Sequence, residues 1–77
     1  MKTIITIKLI AGHAMQTVYE GTSRAAAQKV VDMLRGALII SGGTAGIYVR
    51  FNNSMNTLLW KVENGEATCP EGSSPLA

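Results

Sequence analysis

The sequence predicts an α+β domain, an antiparallel β-sheet with one amphipathic helix packed on one face, in the order β-β-α-β-β-β. Three observations carry this reading. Only the stretch from Thr22 to Leu38, TSRAAAQKVVDMLRGAL, combines a helical start, a helical period and a helical stop. The stretches on either side alternate apolar and polar residues with the period of two expected of half-buried strands. Turn chemistry separates those stretches, most clearly at Asn64-Gly65, a strong signal for a two-residue hairpin loop.

From Thr3 to Ile10 the chain sets Ile5, Ile7 and Leu9 against Lys2, Thr6 and Lys8, with Ile4 and Ile10 as apolar exceptions. Residues Ala11 to Ala14 break the pattern, and Gln16 to Glu20 resume it with the β-formers Thr17, Val18 and Tyr19. A first hairpin follows, and Gly21 turns the chain into the helix. With Ala27 as origin, Val30, Val31, Leu34 and Leu38 form one apolar stripe, while Arg24, Gln28, Asp32 and Arg35 gather on its flank. Thr22 or Ser23 supplies the N-cap oxygen, and Gly36 suits the left-handed residue that ends a helix. A capping box is missing because Ala25 and Ala26 stand where Glu or Gln would.

Ala37 to Ile40 reads either as a last helical turn or as a short buried strand, and the helix is expected to end by Leu38. After the glycine-rich turn from Ser41 to Gly46, the next strand sets Ile47, Val49 and Phe51 against Tyr48 and Arg50. From Thr57 to Glu63, Leu58, Trp60 and Val62 alternate with Leu59, Lys61 and Glu63, completing a second hairpin. Beyond Asn64-Gly65, Glu66 to Cys69 should fold back as a short strand, and Pro70 to Ala77 form a patternless tail behind a domain of residues 1–69. The helix-side core is then Ile5, Ile7, Val49, Phe51, Trp60 and Leu34, and the outer face holds Tyr48, Arg50, Lys8, Thr6, Leu59 and Lys61.

With 77 residues there is room for one domain and one small core. Hydrophobic residues make up 47% of the chain and charged residues 16%, which favours a compact fold with few charges to cover it, hence a partner or a homo-oligomer. The net charge of +2 comes without a basic run of the kind a dedicated nucleic-acid binder carries. A single cysteine, Cys69, makes no intrachain disulfide and points to the reducing cytoplasm. The first residues share Lys2, an apolar stretch and small residues at Gly12 and Ala14 with a signal peptide, but Lys8 interrupts the apolar part. No window approaches the roughly 18 apolar residues of a membrane span.

Chemistry-bearing patterns are sparse. His13 and Cys69 are each the only residue of their type, without zinc-ligand spacing, and no basic neighbour in sequence activates the thiol. Glu63 and Glu66 flank a hairpin turn, where carboxylates are ordinarily solvated. Gly42, Gly43 and Gly46 resemble neither a P-loop nor a dinucleotide fingerprint, because a strand follows where those motifs need a helix. Gly43-Thr44-Ala45-Gly46 matches G-x-x-G in letters, but that loop joins two helices. No enzyme, metal or cofactor is expected. The remaining candidates are surfaces for a partner: Lys8, Tyr48, Arg50 and Lys61 on the open sheet face, where an aromatic beside cations also suits nucleic acid, and Arg24, Gln28 and Arg35 on the helix flank. The edge from Gln16 to Glu20 offers a homodimer contact.

The order of elements resembles small phage-encoded anti-CRISPR proteins. The resemblance rests on the first strand from Lys2 to Leu9, on Val18-Tyr19-Glu20 leading through Thr22-Ser23 into an Ala/Gln/Lys helix, and on Leu58-Leu59-Trp60-Lys61-Val62-Glu63-Asn64-Gly65 ahead of Cys69. It spans most of the chain and concerns architecture alone; the turn from Ser41 to Gly46 has no counterpart there, and no contact residues transfer. It implies a small non-catalytic protein that inhibits a larger host protein or ribonucleoprotein complex by covering its surface.

Overall fold

Ile5 and Ile7 are the most deeply buried side chains of β1 (Ile5–Ala11), which lies inside the sheet between β2 (Ala14–Gly21) and β3 (Ala45–Phe51). In this computed structural model, which describes residues 3–69, β4 (Thr57–Glu63) and β5 (Glu66–Thr68) complete an antiparallel five-stranded sheet in the order β2-β1-β3-β4-β5. One helix, α1 (Arg24–Ser41), connects β2 to β3 and packs on one sheet face, as the sequence predicts. The core gathers Ile5, Ile7, Ile47, Val49 and Leu59 from the strands with Ala27 and Val31 from the helix. Val30, Leu34 and Leu38 border it, so the expected stripe is the packing face. The tail expected from Pro70 to Ala77 and the first two residues lie outside the described residues.

Ser23 is the N-cap: its Oγ accepts the Ala26 N–H at 3.2 Å, satisfying one of the donors that a helix start leaves unpaired. The C-terminus differs from the sequence expectation. The helix passes through Gly36, takes Ala37 to Ile40 as helix and stops at Gly42, whose φ of 69° is left-handed. The Gly42 N–H donates to the Ile39 carbonyl at 3.3 Å and the Gly43 N–H to the Leu38 carbonyl at 3.0 Å, the paired bonds of a Schellman ending. A glycine inside a helix costs only about 1 kcal/mol. The capped double glycine that follows, together with the packing of Leu38, outweighs that cost.

Two bulges break the strict alternation of the strands. Pairing between β1 and β2 passes from Ile7↔Tyr19 to Lys8↔Thr17 and skips Val18; pairing between β3 and β4 passes from Ile47↔Trp60 to Tyr48↔Leu58 and skips Leu59. An extra residue in one strand lets two successive side chains lean to the same side. Val18 and Tyr19 accordingly both pack against the core, as do Leu59 and Trp60. Leu59, expected on the outer face, is instead 0% exposed, and Leu58 takes the outer position opposite Tyr48. Thr6 keeps its outer-face register but is buried, since it sits between Glu20 and Arg50 on the neighbouring strands.

The Asn64-Gly65 turn forms with φ values of 52° and 81°. It also docks on the end of the helix: the Gly65 N–H donates to the Gly43 carbonyl at 3.3 Å and the Asn64 N–H to Thr44 Oγ1 at 3.2 Å. A Cβ on Gly65 would stand 3.2 Å from the Ile39 carbonyl oxygen and 3.3 Å from Gly42 Cα.

Two outcomes follow for stability. Urea unfolding should show Leu59→Ala destabilised by about 2–5 kcal/mol and Leu58→Ala by distinctly less, because only the former opens a core cavity. Equal losses would contradict the bulged register. Gly65→Ala should cost about 1–3 kcal/mol through its left-handed backbone and crowding against the helix end, measured by the same unfolding curves.

Candidate functional site

The seven candidate residues fall into two groups on opposite sides of the sheet. Lys8, Tyr48, Arg50 and Lys61 share the face that the helix leaves uncovered. Their rows follow from register: Lys8, Tyr48 and Leu58 lie side by side across three strands, Ile10, Gly46 and Lys61 form the next row, and Thr6 pairs with Arg50 on the other side. The alternation of β3 places Ile47, Val49 and Phe51 on the helix side, which fixes Tyr48 and Arg50 on the open one.

Gly46 shapes the middle of this face. A Cβ there would stand 2.8 Å from Tyr48 Cε1 and 3.4 Å from Leu58 Cδ1, so the tyrosine ring leans along its own strand over the glycine. A depression of about 320 Å³ results, lined by Ile10, Gly46, Tyr48, Leu58 and Lys61 among others. Lys61 Nζ lies 3.8 Å from Glu63 Oε1, with both side chains more than half exposed (56% and 61%). Such a pair is worth little, leaving the ammonium available to another anion. Towards the other end of the face a second depression, of about 210 Å³, is lined by Thr6, Glu20, Arg50 and Asn52 with two neighbours. Arg50 Nε is buried there without a hydrogen-bond partner.

The helix-flank group has a different occupation. Gln28 Nε2 donates to Asp32 Oδ1 at 2.9 Å, and Arg35 Nη2 lies 3.8 Å from the same oxygen, pairings that the i,i+4 and i,i+3 spacings allow. Beyond that, the Arg35 guanidinium stacks 4.6 Å from the centroid of Trp60, and Arg24 sits 5.4 Å from that of Phe51. These arginines roof the half-buried aromatics at the seam between helix and sheet. The sequence held the signal, since Phe51 and Trp60 already read as helix-facing, but not which helix residue would reach which ring. Sequence reasoning also missed Gly46 and Leu58 as parts of the open face: the first reads as the glycine where the turn passes into the strand, with no side chain to place, and the second is displaced by the bulge.

His13 lies in the β1–β2 turn and Cys69 follows β5, at opposite edges of the sheet. Glu63 and Glu66 pair directly across β4 and β5 and are both exposed. Among the described residues no group of three or more His, Cys, Asp or Glu is placed to hold a metal ion, and no helix is long and apolar enough to cross a membrane. No family model matches the sequence, and neither a curated protein nor a solved structure matches it.

The seam can be tested with the single tryptophan. Removing its roof by Arg35→Ala should shift Trp60 emission to longer wavelength and lower stability by about 0.5–1 kcal/mol, the size of an exposed cation–π contact. Unchanged emission would show that the guanidinium does not cover the ring.

Proposed function

We propose that this chain is a small non-catalytic binding protein that docks through its open sheet face onto a larger host protein or ribonucleoprotein complex and occludes the covered surface. The supporting observation is the composition of that face: an apolar centre of Ile10, Tyr48 and Leu58 set in a shallow depression, with Lys8, Arg50 and Lys61 in the same and adjoining rows. A desolvated aromatic centre with charge towards its rim is the usual anatomy of a protein interface. The cations favour an anionic counterpart, and the planar guanidinium of Arg50, which lines the second depression, suits a carboxylate or phosphate. The architectural resemblance to anti-CRISPR proteins supplies a target class, a nucleic-acid-bearing host complex. Its place of action is then the cytoplasm, where a lone thiol such as Cys69 stays reduced.

A second reading has its own observation. Tyr48 leans over Gly46 with Lys8 directly alongside, an arrangement suited to stacking a base and holding its phosphate. Nucleic acid would then be the direct ligand, not part of a target complex.

Immobilised protein presented with host lysate separates the two. The expected result is retention of a discrete protein or ribonucleoprotein that survives nuclease treatment and falls at least tenfold with the double variant Tyr48→Ala, Arg50→Glu, but not with Met33→Lys on the exposed helix surface. Equal retention by the double variant, or no retention, overturns the proposal. Salt-sensitive binding to bare single-stranded oligonucleotides, lost in the double variant, would favour the second reading.

A further inference from the structure

The two edges of the sheet are unequal. One is β5, only three residues long; the other is β2, with eight residues. An edge strand turns alternate N–H and C=O groups outward, and proteins ordinarily blunt such an edge with Lys, Pro, a bulge or a covering element. β2, AMQTVYEG, holds no Lys, Arg or Pro, and Ala14, Met15, Gln16 and Thr17 are all exposed. Its bulge lies beyond this stretch, at Val18, so the first four residues present a regular, uncovered edge.

We propose that β2 pairs antiparallel with β2 of a second copy of this chain about a two-fold axis at Gln16, joining the two five-stranded sheets into one. Residues directly opposite in an antiparallel pair must face the same side. The register about Gln16 meets this condition. Met15 falls opposite Thr17 of the second copy, and both belong to the open face because they pair with Ile10 and Lys8. Ala14 falls opposite Val18 of the second copy, both on the helix side. The two Gln16 amides meet at the axis, where each offers a donor and an acceptor to the other.

Charge agrees with self-pairing. Glu20 is the one charged residue of β2 and lies well away from the axis, so no like charges are opposed. Each carboxylate instead comes alongside the β1–β2 turn of the second copy, which carries His13. A two-fold axis of this kind sets the two open faces side by side in one continuous surface. The pairing stands independently of what that surface binds.

Light scattering over a concentration series, with amide hydrogen exchange on the same samples, tests the inference. The expected species has twice the 8.2 kDa chain mass, and outward-facing amides between Ala14 and Thr17 become at least tenfold slower to exchange as it forms. Gln16→Lys, which opposes two ammonium groups at the axis, should return the monomer with unchanged far-UV circular dichroism. Ile40→Lys on the exposed helix surface should leave the dimer intact. If Gln16→Lys fails to fold, Thr17→Lys takes its place, and the exchange data on the unmodified chain decide in either case. A monomer at every concentration, a dimer that withstands the edge variants, or β2 amides indifferent to concentration would overturn the proposal.

Discussion

One helix has to cover the apolar side of five strands, and the contact of Ala27 and Val31 with Ile5, Ile7, Ile47, Val49 and Leu59 is what makes that possible. Five strands spaced by about 4.8 Å span roughly 19 Å, whereas a helix with its side chains is about 10–12 Å across. The cylinder therefore closes only the middle of the sheet. At Ala27 the small methyl side chain lets the helix approach closely, and Val31 one turn later fills the space beside it. Either side of that line the sheet has to bring its own cover.

The bulges and the arginine roofs are two answers to this shortfall. Each bulge adds an apolar side chain to the helix side of a strand, Val18 on β2 and Leu59 on β4, thickening the core where the helix curves away from the sheet. Further out, the guanidinium groups of Arg35 and Arg24 lie over the rings of Trp60 and Phe51. Tyr19 does the same at the β2 end: its ring lies against Gly21, and its Oη accepts the Ser23 N–H at 3.3 Å and reaches the Ser23 carbonyl at the same distance. The helix N-cap is thereby tied to the strand that precedes it.

This division explains what the sequence made legible. Hydrophobic period and turn chemistry report local geometry, and they placed every element, the Ser23 cap region, the Asn64-Gly65 turn and the stripe from Ala27 to Leu38. A bulge has no period of its own. Leu58-Leu59 is apolar twice in succession, and only the partner strand determines which leucine is the extra residue. The helix end is not legible for a similar reason, because the choice between Gly36 and Gly42 depends on where the chain must turn to place β3 beside β1. On the open face the cations and Tyr48 were legible from alternation, while the depression between them was not. It depends on a glycine paired with Ile10 on one side and Lys61 on the other.

Coverage from one side also sorts the basic residues by role. Arg24 and Arg35 lie over aromatic rings, and the electrostatic attraction they offer is largely committed to those rings and to Asp32. Lys8, Arg50 and Lys61 have no ring to roof, because the aromatic among them, Tyr48, is laid down over Gly46. A net charge of only +2 by itself offers an anionic counterpart little long-range attraction. The sum is a poor guide here, since it counts cations tied up in the seam on equal terms with those on the uncovered face. The balance at that face is local: Glu63 partly offsets Lys61, and Glu20 lines the same depression as Arg50 without forming an ion pair with it. Binding an anion there requires displacing one weak surface pair and no buried one, so the face can accept a charged partner without destabilising the fold beneath it.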